Sequence, residues 1–126
     1  MNGTESAIHF ILNCSWDALP AEVQRQSRRC LLDLLGALIA GAQTPVARLT
    51  ANLAQAQYAG AEATILAGGG RASAIGAALA NGFAANALDI DDGYRPIKGH
   101  PGVCVLPPLL AQKLRRPLLV TQCLNI

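Results

Sequence analysis

The residues whose types and spacing could do chemistry fall in one stretch, Asp89-Ile90-Asp91-Asp92-Gly93-Tyr94-Arg95-Pro96-Ile97-Lys98-Gly99-His100-Pro101-Gly102. It gathers three of the chain's eight acids, two cations, a tyrosine and one of its two histidines. Such crowding at the end of an apolar helix is the arrangement that general acid–base sites use. His100 is of the type that takes up and releases a proton near neutral pH. Arg95 and Lys98 suit a substrate carboxylate, Arg by paired hydrogen bonds. The plainer reading of the same stretch is a polar loop whose charges are solvated.

Three narrower chemistries use acids at similar spacings. An EF-hand needs Gly at its sixth position and an acid at its twelfth; counted from Asp89, Gly93 is fifth and His100 twelfth, so it fails. Asp-x-Asp-Asp also occurs in cyclases that protonate isoprenoids. Those enzymes need an aromatic-lined pocket, and this chain has one Trp, two Tyr and two Phe. A divalent ion on Asp89, Asp91 and Asp92 is conceivable but nothing in the spacing requires it, so no metal and no cofactor are expected.

Elsewhere the signals are structural. Gly68-Gly69-Gly70-Arg71 precedes a helix, where backbone N–H groups can cradle a phosphate, but it matches neither common glycine fingerprint and reads as a turn. His9 falls on the apolar side of a first short helix and reads as structural. Cys14, Cys30, Cys104 and Cys123 are scattered without metal spacing, and read as reduced core or surface thiols rather than disulfides.

The elements that must position the loop are mostly helical. Thr4 or Ser6 is placed to cap a first helix carrying Ile8, Ile11 and Leu12. A second runs from Ala21 to Ala40, with Gly41 as its stop, and a third from Pro45 to about Ala59. Residues 63–67 are short, partly β-branched and bounded by glycine, so they read as one brief extended segment. Ser73 opens an alanine-rich helix from Ala74 to about Leu88, and 89–102 reads as loop. A last helix is expected over Val103–Lys113, with Pro107 in its first turn. The fold class is therefore all-α, with at most that one extended segment.

Composition bounds the rest. The chain has 126 residues, 52% hydrophobic and 14% charged, with net charge +2. This excludes a disordered chain, which would be polar and highly charged. The two basic groups, Arg25/Arg28/Arg29 and Lys113/Arg115/Arg116, lack interleaved aromatics, so no nucleic-acid partner is expected. The most apolar run, 31–40, is interrupted by Asp33 and falls short of the ~20 residues that span a bilayer. No membrane is expected, and the cytoplasm is. Charge well below the roughly 25% of ordinary domains suggests apolar surface that some other surface covers.

Several segments occur in one order: Leu32-Asp33-Leu34-Leu35-Gly36-Ala37-Leu38-Ile39-Ala40-Gly41, Ala63-Thr64-Ile65-Leu66 with its glycine turn, Ala77-Ala78-Leu79-Ala80-Asn81-Gly82, Leu88-Asp89-Ile90-Asp91-Asp92 and Gly99-His100-Pro101-Gly102. Together they resemble the N-terminal part of the MmgE/PrpD family, which includes 2-methylcitrate dehydratase, cis-aconitate decarboxylase and iminodisuccinate epimerase. The resemblance implies a helical N-terminal domain, followed in the family by a smaller lid domain, usually in a homodimer. It implies a small di- or tricarboxylate substrate and acid–base chemistry without a required cofactor. It carries an active-site role onto Asp89 and onto His100. Gly93 stands where some decarboxylases of the family have Thr. Asp92, Arg95 and Lys98 are added from the loop's own chemistry as substrate-binding residues.

Family members are several times longer, so residues 1–113 are expected to form part of the helical domain. Residues 114–126 do not continue the pattern, and read as a divergent tail from a truncation. The expected function is a fragment of a lyase or isomerase of 2-methylcitrate dehydratase type. The alternative is an inactive remnant, or a helical module that binds another protein.

Overall fold

A computed structural model describes residues 2–66 and 68–112. They form five α-helices, two short strands and two 3-10 turns, so the domain is mostly α. The chain divides into two compact units with the boundary inside the second helix, between Arg28 and Arg29.

The first unit holds α1 (Gly3–Asn13), a 3-10 turn at Trp16–Ala18 and the start of α2 (Ala21–Gly41). Asn2, rather than Thr4 or Ser6, caps α1. Its side chain accepts from the Glu5 N–H at 2.9 Å, and Glu5 accepts from the Asn2 N–H at 3.0 Å. Two otherwise orphaned donors are thereby satisfied. No residue of α1 is buried, so His9 is exposed instead of packed on an apolar face. Trp16 is buried. The Gln24 amide donates to the carbonyls of Trp16 and Leu19, and the Arg28 guanidinium lies 5.4 Å from the Trp16 ring centre, within cation–π range.

The second unit holds the rest of α2, α3 (Pro45–Gln57), the strands β1 (Ala63–Ile65) and β2 (Gly70–Ala72), α4 (Ala74–Asn86) and α5 (Pro101–Ala111). Thr44 caps α3 through the Ala47 N–H, with Pro45 in the first turn, and Ser73 caps α4 through the Gly76 N–H. The expected extended segment is β1. A second strand pairs with it antiparallel, Ala63 opposite Ala72 and Ile65 opposite Gly70, where a turn was expected. Gly69 takes a positive φ of 68°, which closes the hairpin, and the N–H groups of Gly68 and Gly69 both point to the Ile65 carbonyl. Those donors serve the turn, which is the plain reading of the glycine run.

α4 is the central helix, packed on both α3 and α5. Its alanines and glycines let neighbouring backbones come close: a Cβ on Gly41 of α2 would run into the Ala84 carbonyl. Gly41 is therefore an approach point as well as a helix end. One core cluster joins Leu34 and Leu38 of α2 with Ala47, Ala84, Ala85 and Leu106; the other joins Ala51, Ala54, Ile65, Ala77, Ala80 and Ala111. Buried Asn81 ties α4 to the hairpin, accepting from the Leu66 N–H at 2.9 Å and donating to the Thr64 carbonyl at 3.1 Å.

α5 begins at Pro101, two residues before the expected start. Pro107 and Pro108 consequently lie inside the helix rather than in its first turn. Cys14, Cys30 and Cys104 are reduced thiols, Cys30 and Cys104 exposed and Cys14 half-buried. Lys113, the tail 114–126 and Cys123 lie outside the described residues.

Candidate active site

The site is the connection from the end of α4 to the start of α5. Asp89 turns the chain out of α4 in a left-handed conformation, φ 54°, which Asp tolerates better than most residues. Its N–H bonds the Asn86 carbonyl. The chain then runs out and back. The Tyr94 N–H meets the Gly99 carbonyl at 2.9 Å, Arg95–Ile97 form a 3-10 turn, and Lys98 closes it at φ 51°. This returns His100 to the acids that precede the turn.

His100 is the residue preceding α5, at the N-cap position that Ser, Thr, Asp or Asn usually fills, and its own side chain makes no capping bond. Asp92 does that work from ten residues upstream. Both of its carboxylate oxygens lie within 3.1 Å of the Gly102 N–H, where a negative charge is also favoured by the helix dipole. The His100 ring is thus left to the other two acids. Its Nε2 lies 3.0 Å from Asp89 Oδ1, and its Nδ1 lies 3.3 Å from Asp91 Oδ2.

The two carboxylates differ in surroundings. The Asp89 side chain is 82% exposed, that of His100 25%, and that of Asp91 0%. Neither Asp91 oxygen, nor His100 Nδ1, has a hydrogen bond of good geometry. The result is an imidazole between an open acid and a closed one, able to exchange a proton with solvent or substrate on the Asp89 side.

Of the residues picked out in the sequence, Asp89 and His100 come together. Asp92 lies beside them but is engaged with backbone. Arg95 and Lys98 are exposed on the 94–99 turn, with no ion pair among the described residues. Asp91 is the residue that sequence reasoning left out of the site. Its one signal was its place between two other acids, which does not show burial. Position 93 faces the ring: a Cβ on Gly93 would sit 3.7 Å from His100 Cε1, an ordinary contact.

Asp89, Asp91 and His100 are also the group, among the described residues, whose atoms lie close enough together to hold an ion, within 4.8 Å. The carboxylates address opposite nitrogens of the ring, however, whereas an ion bound to one nitrogen would draw both to that side. Asp92 is not part of the group. Two open grooves lie elsewhere along α4 and α5. One, of about 330 Å³, is lined by Leu79, Gly82, Phe83, Asn86 and Val103, and the other by Ile75, Ala78, Val105 and Leu109.

These features define a class: a mostly helical domain carrying an Asp–His–Asp cluster between two helices. Comparison with protein-family models matches the MmgE/PrpD N-terminal domain over residues 5–116, and the chain belongs to that family. Comparison with curated proteins found no match, and neither did comparison with solved structures. No single helix among the described residues is long and apolar enough to cross a membrane. α2 and α3 pass on length and composition only when taken together, and they are bent by 90°.

Proposed function

We propose that the chain supplies the acid–base half of a cytoplasmic, cofactor-independent lyase of 2-methylcitrate dehydratase type, which acts on a small di- or tricarboxylate as a homodimer. The observation that carries this is the 3.0 Å contact between His100 Nε2 and the open Asp89 carboxylate. The pair takes the proton from the carbon beside a substrate carboxylate. It then returns a proton to the departing hydroxyl, which leaves as water as the C=C bond forms. Arg95 and Lys98 hold a substrate carboxylate and stabilise the charge that builds on it. Asp92 holds the start of α5, and with it His100.

Two groups in direct contact address a substrate from one side. That suits loss of proton and hydroxyl from one face better than epimerisation, which needs an acid and a base on opposite faces. The test is turnover of methylcitrate, cis-aconitate and related acids by the chain with His100→Ala and Asp89→Asn beside it. Each substitution should lower kcat by about 10²–10⁴-fold with the circular dichroism unchanged. Equal turnover in all three proteins would refute the reading. The second reading, a helical module that binds another protein, is favoured by the exposed apolar side chains of α1 and α4, such as Leu12 and Ile75. It would stand if no acid is turned over while a partner is bound.

A further inference from the structure

We infer that Asp91 is a positioning residue that fixes the tautomer of His100, holding a proton on Nδ1 so that Nε2 is the working nitrogen. The inference rests on the proposed role of His100, but its physical content can be tested without turnover. It starts from burial. Leaving a carboxylate in the interior without a hydrogen-bonding partner is costly, and Asp91 is one: its side chain is fully buried and both oxygens lack a hydrogen bond. His100 Nδ1 is buried and lacks one too, and lies 3.3 Å from Asp91 Oδ2. A carboxylate only accepts, so the proton of that pair sits on Nδ1.

The other face of the ring then follows. With Nδ1–H committed to Asp91, the lone pair of the neutral ring is on Nε2, 3.0 Å from Asp89 Oδ1 on the solvent side. Nε2 is then the nitrogen that takes and returns a proton, and the buried acid keeps the Nδ1 proton from being traded to it. A base oriented by a third group is the arrangement that activated catalytic histidines use. Asp92 contributes separately: by capping α5 it leaves the His100 side chain unengaged by its own helix.

The experiment is long-range proton–nitrogen NMR of the ¹⁵N-histidine-labelled chain at a pH where an imidazole is neutral, with His100→Gln to assign the signals. The wild-type Nδ1 should carry the shift of a protonated nitrogen. Asp91→Asn should move at least half of the population to the other tautomer, while Asp89→Asn should leave Nδ1 protonated. Asp91→Asn should also lower kcat by as much as about 10⁴-fold, with KM changed less than threefold. A bare Nδ1 in the wild type overturns the inference, and that measurement stands even if Asp91→Asn fails to fold. So does displacement of the Nδ1 proton by stoichiometric Zn²⁺, the outcome expected of a metal site. If the tautomer behaves as stated while His100→Ala keeps full turnover, the proposed function fails and the Asp91–His100 arrangement does not.

Discussion

Arg95 and Lys98 stand on a turn closed by its own backbone bonds, with their charges in solvent and no acid paired to them among the described residues. Side chains in that state add little to stability, because exposed charges are screened and their rotamers are free. What they offer is capacity for an anion. Arg95→Gln and Lys98→Gln should each raise KM for a carboxylate substrate by about 10- to 100-fold, the worth of one charged hydrogen bond. The thermal midpoint should stay within 1–2 °C, roughly the noise of a surface change. Unchanged KM in both would remove them from the binding surface. Asp91 is the opposite case, invisible as an anion site yet closest to the buried side of His100. The sequence placed all these groups in one loop, and a family resemblance pointed to two of them. Which nitrogen meets which acid depends on how the 94–99 turn folds back, and no spacing rule reports that.

Helices meet here through small residues, so element positions hinge on where a side chain has room. α2 contains two glycines with opposite surroundings: around Gly36 nothing lies within 4 Å of an added Cβ, whereas at Gly41 it meets the Ala84 backbone. A backbone carbonyl cannot swing aside as a side-chain end can. Gly36→Ala should therefore stabilise the fold by about 0.5–1 kcal/mol through helix propensity alone. Gly41→Ala should destabilise it by about 1–3 kcal/mol by driving α2 and α4 apart. Urea denaturation of the two variants reads both signs, and a stabilising Gly41→Ala would disprove the close packing. Elements whose signals are local were legible: the run Ala21–Gly41, Pro45 at the start of α3, Ser73 capping α4. Those missed depend on distant partners. β2, Gly70-Arg71-Ala72, has no β-branched residue and is a strand only because Ala63 and Ile65 pair with it. The start of α5 was hidden because its cap, Asp92, lies outside the local window.

In the molecule as a whole, apolar size and burial run against each other. Among the described residues most of the buried hydrophobic ones are alanines, while Ile11, Leu12, Leu32, Ile39, Leu49 and Ile75 are each exposed by two thirds or more. Burial stabilises at about 25 cal/mol per Å², so a core of methyl groups contributes modestly and a few larger side chains matter disproportionately. Leu38 and Ile65, at 1% and 0% exposure, are two of these, and cutting either to Ala should cost about 2–5 kcal/mol. α1 has no buried residue, so the double change Ile11→Lys with Leu12→Lys alters two exposed side chains outside both core clusters. It should alter unfolding free energy by less than about 0.5 kcal/mol, while adding two charges to a chain with only 14% charged residues. Sedimentation velocity across a concentration series should show weaker self-association in that variant, because contiguous exposed apolar surface is what drives association. A loss of several kcal/mol would mean that α1 is covered by the chain itself. Unchanged association with unchanged stability would mean that its apolar residues face nothing that another copy of this chain supplies.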